Sequence, residues 1–387
     1  MSALAPLPSP APDEHEGAPV DQEALIKEAR RRARRRRAAY AGAALTALGT
    51  ALGIFFSIGG GPPTHRSGRA RPSGALPKVG SVEGTLRLPL QGSVQFTARA
   101  GTLFVLVGRQ DRGHFLSVVR VGSDGTTTRK RVPFGLPAYL SDVSAGPGGI
   151  YAGTTVIKRF TNAHDQLIRI DPRTLTISAR AFFPASVATV AHGGWVWAAL
   201  GDGRVVRLDA HTLAIAASRR ILPAAAAANV VALLSKPALG LGSVWVLAGN
   251  AKRLELVRMN PQTLAVRSRT RVPTRGRLAQ ALHEVDGDSG HLYLIGSAVV
   301  AVSANGRLAN RPVLVPGLAN AAIHGSGLVG VTAEAPGVVL LNPHGRIEAR
   351  TTVADTGGPL AVSGRDIWFM GNAGGGDGIV HVHLGRR

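Results

Sequence analysis

From Gly242 to Leu264 the chain reads GSVWVLAGNAKRLELVRMNPQTL, two apolar runs separated by a polar loop and ending in an Asn-Pro turn. Apolar and polar residues that alternate over roughly four to eight positions are typical of a half-buried β-strand. The Asn260 side chain can accept hydrogen bonds from the backbone amides after it, and Pro261 restricts φ at the next position, so both residues favour a tight turn. The segment therefore predicts two antiparallel strands and a hairpin turn into a third strand.

Two parts of this segment recur along the chain. The first is a small residue followed within three positions by an aromatic one, and its seven copies are spaced 36 to 48 residues apart. The copies are Gly101–Phe104, Gly148–Tyr151, Gly194–Trp197, Gly242–Trp245, Gly290–Tyr293, the degenerate Ser326–Val329, and Asp366–Trp368. The second part is an alternating strand that ends in an Asp or Asn turn, most clearly at Leu167–Leu175, Val206–Leu213 and Leu256–Leu264. A four-stranded repeat of this length is typical of a β-propeller blade.

The repeats predict an all-β fold, a seven-bladed β-propeller preceded by a single transmembrane helix and a disordered basic tail. The innermost strands of the blades are expected to begin near Ser93, Ala138, Ser186, Leu239, Leu278, Ala321 and Pro359. The last repeat has only three strands, so Thr85–Leu90 is expected to supply its fourth strand and to remove an exposed sheet edge. Six or eight blades remain alternatives, because the apolar stretch Ala224–Leu241 is unusually long; we expect it to form a loop or a short helix.

The Ile-Asp-Pro-x-Thr-Leu pattern after a Trp-Val or Val-Trp strand resembles the YVTN-type and streptogramin-lyase-like repeats of bacterial propellers. The resemblance covers about 300 residues and lies in the repeat, so it implies the fold and not an activity. The lyases of this group depend on a His and Glu pair on one face. None of the propeller glutamates lies in a segment that matches that motif; they are Glu83, Glu255, Glu284, Glu334 and Glu348.

The first 80 residues differ from the repeats in composition. Residues 1–37 are predicted to be a disordered basic tail, and seven arginines between Arg30 and Arg37 directly precede 21 uncharged residues, 38–58. As a helix this span is ~31 Å long, which matches the bilayer core. Arginines flanking such a span stay in the cytoplasm, so the amino terminus is predicted inside and the propeller outside a cell membrane. The alternatives to a membrane anchor are a cleaved export signal and an interfacial helix. Residues 59–80 are predicted to be a flexible linker, and residues 81–387 are predicted to form the propeller.

The chain has 387 residues, with 45 Lys and Arg against 23 Asp and Glu, and no cysteine. The lack of cysteine excludes disulfides, thiolate metal sites and cysteine nucleophiles. Residues 81–387 alone carry a net charge of +16, which favours anionic partners. Genome composition is the alternative explanation of this positive charge, since Arg outnumbers Lys by 39 to 6 as in proteins of GC-rich bacteria.

The loops between the second and third strands of a blade share a face with the connections between blades. We call this the loop face, and several of its predicted loops are basic. The sequence therefore predicts a ring of cationic groups at one mouth of the channel, suited to carboxylate or phosphate ligands. Its predicted members are Arg109, Arg112, His114, Lys158, Arg159, Lys252, Arg253, Arg275 and Arg277.

Other chemistry is not predicted. His381 and His383 could hold a metal from one strand face, and Glu284, Asp286 and Asp288 could bind Ca²⁺, but ordinary strand and turn residues are favoured in both cases. We predict no cofactor, metal or catalytic residue. The leading hypothesis is a membrane-anchored extracytoplasmic module that binds an anionic cell-surface polymer or a protein, and not nucleic acid. The alternatives are a lyase or hydrolase, and a sensor that signals through the short tail.

Overall fold

A computed structural model describes most of the repeat region. The described residues are 78–86, 93–108, 115–122, 124–133, 138–156, 164–183, 187–223, 233–250, 253–273, 282–309, 311–353, 356–372 and 377–384. Within them the chain forms β-strands connected by turns and short loops, and no helix. The predicted tail and membrane span lie outside these ranges, and so does the predicted basic ring apart from Arg253. Among the described residues, no helix is long and apolar enough to cross a bilayer.

The strands form seven antiparallel sheets, the blades, most of which use four consecutive strands. Blade 1 contains β2 (Ser93–Arg99), β3 (Thr102–Gly108), β4 (Phe115–Val121) and β5 (Thr127–Pro133). Blade 2 contains β6 (Ala138–Gly146), β7 (Gly149–Val156), β8 (His164–Ile170) and β9 (Ile177–Phe183). Blade 3 contains β10 (Val187–His192), β11 (Trp195–Leu200), β12 (Arg204–Asp209) and β13 (Ile215–Arg220).

Blade 4 contains β14 (Leu233–Leu234), β15 (Ala238–Gly240), β16 (Ser243–Asn250), β17 (Arg253–Met259) and β18 (Val266–Val272). Blade 5 contains β19 (Leu282–Gly287), β20 (Leu292–Gly296), β21 (Ala298–Ala301) and β22 (Val313–Leu314). Blade 6 contains β23 (Leu318–His324), β24 (Gly327–Thr332), β25 (Gly337–Leu341) and β26 (Ile347–Thr352). Blade 7 contains β27 (Gly357–Ser363), β28 (Asp366–Asn372), β29 (Asp377–Leu384) and the first strand of the described residues, β1 (Gly80–Leu86).

The two ends of the propeller pair with each other. β1 runs antiparallel to β29, from Gly80 opposite Leu384 to Leu86 opposite Ile379. This confirms the predicted closure: the strand begins earlier than expected, at Gly80, and includes Thr85 and Leu86 of the predicted stretch, while residues 87–90 lie outside the described ranges. Blade 7 thus obtains its outer strand from the opposite end of the chain.

One hydrophobic cluster lies at each junction between neighbouring blades. The junction of blades 1 and 2, for example, packs Phe104 and Leu106 against Leu140 and Ile150. Equivalent clusters occupy the six other junctions, including the one that joins blade 7 back to blade 1 through Trp368 and Leu103. Seven blades in a closed ring therefore account for the core, and the predicted blade number is confirmed.

The recurring turn between third and fourth strands has one conformation in blades 2, 3 and 4. In blade 4 the Asn260 side chain accepts hydrogen bonds from the amides of Gln262 and Thr263. The leucine that ends the motif, Leu264, has φ 59° and is completely buried. A left-handed leucine is strained, but its burial in the junction core holds it in place.

Candidate functional site

Arg253 is the one member of the predicted basic ring among the described residues. It begins β17, its side chain is 74% exposed, and its guanidinium lies 2.8 Å from a carboxylate oxygen of Glu255. Burial would raise the pKa of Glu255, but its hydrogen bonds from Arg269 and Arg253 outweigh this and lower it. The charge of Arg253 is therefore partly neutralised, and the ring on the loop face stays a prediction.

The described basic residues concentrate elsewhere, on the outer strands of blades 1 to 4. These strands carry three Lys or Arg in β5, one in β9, two in β13 and three in β18, nine in all, and no Asp or Glu. We call this surface the basic rim; its members are Arg129, Lys130, Arg131, Arg180, Arg219, Arg220, Arg267, Arg269 and Arg271. The outer strands of blades 5 to 7 differ: β22 is uncharged, β26 has one Glu and one Arg, and β1 has one Glu.

Several rim side chains bind neutral acceptors. Arg129 donates to the Ser117 hydroxyl, Lys130 to the Thr174 carbonyl and Arg220 to the Asp202 carbonyl. Neutral acceptors leave the positive charges uncompensated. Arg269 differs, because it also pairs with the Glu255 carboxylate at 3.0 Å. The rim was visible in the sequence as Arg-rich alternation, for example in Val266–Val272, but sequence reasoning assigned function to loops rather than to strand faces.

A cross-strand pair joins most blades to the next. In blades 1 to 4 an aromatic residue on the second strand lies opposite an arginine on the third; these pairs are Phe104 and Arg120, Tyr151 and Arg169, Trp197 and Arg207, and Trp245 and Arg258. In blade 7 Trp368 stacks on His381 with ring centroids 5.1 Å apart. We call this arrangement the aromatic–basic pair.

In blades 2 and 3 the aromatic residue of the pair donates a hydrogen bond to a turn of the following blade, whereas the Trp245 indole of blade 4 donates to Gly240 of its own blade. The Tyr151 hydroxyl of blade 2 donates to the Ala210 carbonyl of blade 3 at 2.8 Å, and the Trp197 indole of blade 3 donates to the Pro261 carbonyl of blade 4 at 3.0 Å. Arg207 also lies over the Trp195 ring, 3.8 Å from its centroid. The repeated aromatic and the repeated turn are therefore one structural device that connects adjacent blades.

Three cavities open between blades on the face that carries these turns, which we call the turn face. One of ≈ 990 Å³ lies between blades 5, 6 and 7, a second of ≈ 920 Å³ spans blades 3 to 5, and a third of ≈ 610 Å³ lies between blades 7 and 1. The second contains Trp195 and Arg207, and the third contains Trp368 and His381. Asp288 lines both of the first two.

A charged cluster occupies the central channel. The inner strand of blade 4 is broken between β14 and β15, and Lys236 lies at the break. Its ammonium is 3.0 Å from an oxygen of Asp142 in blade 2. Because the contact joins blade 2 to blade 4, it passes in front of the inner strand of blade 3. The other oxygen of Asp142 accepts the amide of Thr189 in that strand at 2.6 Å.

Carboxyl groups surround this lysine. Burial raises the pKa of Glu284 to about 7, and Asp286 and Asp142 add to the effect while Lys236 opposes it. Burial also raises the pKa of Asp286, although its hydrogen bonds from the Ile323 and Gly287 amides act the other way. Burial would lower the pKa of Lys236, but the neighbouring carboxylates outweigh burial and raise it.

Of the residues that the structure describes, no group of three or more His, Asp or Glu is arranged to hold a metal ion. Asp286 and Glu284 lie in strand β19 rather than in a loop. His381 and His383 do share a strand face, and a third polar group is present: Asp366 accepts from both imidazoles at 2.9 Å. Burial would raise the pKa of Asp366, but these hydrogen bonds outweigh it and lower it.

Comparison with known proteins identifies the fold alone. No known protein-family model matches the chain, and no curated protein sequence matches it. Its structure is similar to that of BamB from Moraxella catarrhalis, with TM-score 0.50 and 15% identity over 79% of this chain and 100% of that one. It is similar to the β-propeller domain of Cps50 (Swd1) from Myceliophteria thermophila, with TM-score 0.55 and 15% identity over 78% and 99%.

A third similar structure bears on the resemblance seen in the repeats. It is a catalytically inactive variant of virginiamycin B lyase from Staphylococcus aureus with quinupristin, with TM-score 0.52 and 17% identity over 78% of this chain and 98% of that one. At these identities the likeness supports the propeller fold and carries no activity to this chain. The chain is a seven-bladed β-propeller whose structural neighbours include both BamB and a streptogramin lyase.

Proposed function

We propose that this protein is a non-catalytic binding module, anchored through residues 38–58 on the outer side of a cell membrane, whose basic rim binds an anionic envelope polymer. The observation that carries the proposal is the asymmetry of the outer strands, nine basic and no acidic residues in blades 1 to 4 against a balanced or slightly acidic set in blades 5 to 7. Uniform genome composition would not produce such an asymmetry.

The spacing of the charges favours a linear polymer. Arg267, Arg269 and Arg271 alternate on the exposed face of β18, so their attachment points lie about 7 Å apart. A row of guanidinium groups on several neighbouring strands can contact successive anionic units of one chain, whereas a compact anion would meet only one or two of them. Guanidinium binds both carboxylate and phosphate through paired hydrogen bonds, so either polymer chemistry suits the rim.

Binding of polygalacturonate and of long-chain polyphosphate to the detergent-solubilised full chain tests the proposal. We expect affinity to fall steeply with added salt, because exposed charges are screened. The triple variant Arg131→Gln, Arg219→Gln, Arg271→Gln should bind at least about tenfold more weakly at low salt. The two polymers distinguish a carboxylate ligand from a phosphate ligand.

A matched control removes the same charge from the other side of the ring. Arg311, Arg346 and Arg365 are exposed and belong to blades 5, 6 and 7. Their replacement by Gln should change affinity less than about twofold, since none of these residues belongs to the rim. Equal losses in the two triple variants would mean that only net charge matters, and absence of binding to both polymers at low salt would refute the proposal.

A further inference from the structure

The aromatic–basic pair is missing at the junction of blades 6 and 7. At the positions that hold an aromatic residue and a basic residue in blades 1 to 4 and blade 7, blade 6 has Val329 opposite Leu340. Neither side chain can reach across the junction with a hydrogen bond. Blade 6 therefore supplies an aliphatic wall where blades 1 to 4 and blade 7 supply an aromatic and a basic side chain; blade 5 keeps the aromatic residue alone, with Tyr293 opposite Ala301.

Blade 7 lacks the turn that would face this wall. Its third strand, β29, ends at Leu384, and its fourth strand, β1, begins at Gly80 from the other end of the chain. The carbonyls that Ala210 and Pro261 present at other junctions have no counterpart in a continuous turn here. Both halves of the connecting device are thus absent at one junction, where the ≈ 990 Å³ cavity lies.

The lining of this cavity combines apolar and charged side chains. Its apolar residues include Leu340, Ala349 and Val362. Its ionisable residues are Lys78, Asp286, Asp288, His324, Glu348 and Arg365. We call it the blade 6–7 groove.

The side chain of Asp288 lines this groove, and its two carboxylate oxygens differ in their hydrogen bonds. Its Oδ1 atom accepts hydrogen bonds from the Gly290 and His291 amides and lies 3.2 Å from the His291 ring. Within the described part of the chain, the hydrogen bonds to this carboxylate all involve Oδ1. The second oxygen, Oδ2, is left to accept from a ligand.

We propose that the blade 6–7 groove binds a peptide of a partner that inserts an arginine side chain. The aliphatic stem packs on Leu340 and Ala349, and the guanidinium binds Asp288. Lys78 and Arg365 donate to the peptide carbonyls. The occupant is argued from the same molecule: the other two cavities contain a basic side chain stacked on an aromatic ring, Arg207 on Trp195 and His381 on Trp368, and the ligand supplies the basic group that blade 6 lacks.

Calorimetric titration of the detergent-solubilised full chain with the peptide acetyl-Gly-Arg-Gly-amide tests the proposal. The neutral isostere acetyl-Gly-citrulline-Gly-amide should bind at least about tenfold more weakly, because it cannot form the charged hydrogen bonds. Asp288→Asn should also weaken the arginine peptide at least about tenfold. The asparagine Oδ1 atom can still accept the Gly290 and His291 amides, so this variant is expected to fold.

Two controls make the result specific. Asp171→Asn removes the same charge from the turn between the third and fourth strands of blade 2 and should leave the affinity unchanged. Leu340→Arg places a basic side chain of the protein itself in the groove and should abolish binding of the peptide. The rim triple variant should bind it like the wild type, so failure here and failure of the polymer proposal are separable. Equal affinity for the two peptides, no effect of Asp288→Asn, or no binding at millimolar peptide would overturn the proposal.

Discussion

At the scale of single residues, the channel cluster brings together charged groups from blades 2, 4 and 5. Lys236 is the cation that faces Asp142, Glu284 and Asp286, and it connects two blades that are not neighbours. Its place could not be read from the sequence, where it appeared only as the charge that ends an apolar stretch. The break in the inner strand of blade 4 brings it into the channel, and only three-dimensional packing defines that break.

Lys236→Met should destabilise the protein. The Lys236 and Asp142 side chains are 30% and 16% exposed, so removing the lysine leaves a partly buried carboxylate without its cation, at a cost of about 1–3 kcal/mol. Chemical denaturation of the variant and the wild type measures the change in free energy of unfolding. Adding Asp142→Asn should recover part of the loss, because the amide oxygen still accepts the Thr189 amide. A single variant as stable as the wild type would show that the contact does not hold the blades.

Glu284→Gln should change how stability depends on pH. The pKa of Glu284 is about 7 in the folded protein against an ordinary value of 4.5, so the folded state holds the proton more tightly. Stability contributed by this proton is present below about pH 4.5 and is lost as pH rises to about 7, at a cost on the order of 3 kcal/mol at most. The variant has no such proton to lose.

The difference in melting temperature between the Gln variant and the wild type should therefore grow as pH rises from 4.5 to 8, in favour of the variant. Differential scanning fluorimetry at half-unit steps of pH measures it. Taking the difference cancels the groups that titrate in both proteins. A difference that stays constant across this range would contradict the assigned environment of Glu284.

At the scale of elements, the turns were predictable and their strain was not. The Asp or Asn at the start of each turn, followed in two cases by Pro, specified the hairpins from sequence alone. The left-handed leucines, Leu175, Leu213 and Leu264, could not be predicted, because leucine adopts that conformation only where burial compensates for strain. The aromatic–basic pairs were missed for a related reason: they depend on strand register, which the repeat spacing does not define.

Leu264 provides a test of that balance. Leu264→Ala should destabilise the protein by about 2–5 kcal/mol, since it empties a buried position and keeps the strained φ. Leu264→Gly should be less harmful than the Ala variant by about 1 kcal/mol, because glycine adopts the left-handed conformation without strain. Urea denaturation of both variants gives the order. If Gly is worse than Ala, the turn is not held in the left-handed conformation.

At the scale of the whole molecule, the repeat predicted most of the architecture. Six of the seven inner strands begin within four residues of the position expected, whereas the broken inner strand of blade 4 begins at Leu233, six residues before Leu239. The number of blades and the closure by the amino-terminal strand were also foreseen, because each follows from counting strands. The charged surface was not, since net charge gives no information on which side of a ring the arginines lie.

The closure itself should be needed for stability. Thr85→Pro places a proline in β1 opposite Val380. It removes a backbone donor and restricts φ within the strand that closes the ring, which should lower the melting temperature markedly. Glu83→Pro, at the irregularity between Val82 and Gly84 where the pairing shifts, is the matched control and should be milder. Equal melting temperatures for Thr85→Pro and the wild type would mean that the ring does not depend on this pairing.

The chain has six lysines, and their positions allow one direct test of the rim. Lys130 is on the basic rim, Lys158 and Lys252 are on the predicted loop face, and Lys78 lines the blade 6–7 groove. Polygalacturonate with activated carboxylates, incubated with the full chain at low salt, attaches to lysines that it contacts, and peptide mass mapping identifies them. Binding through the rim predicts modification of Lys130 well above the others, suppressed by salt. Modification of Lys158 and Lys252 with Lys130 unreacted would contradict it.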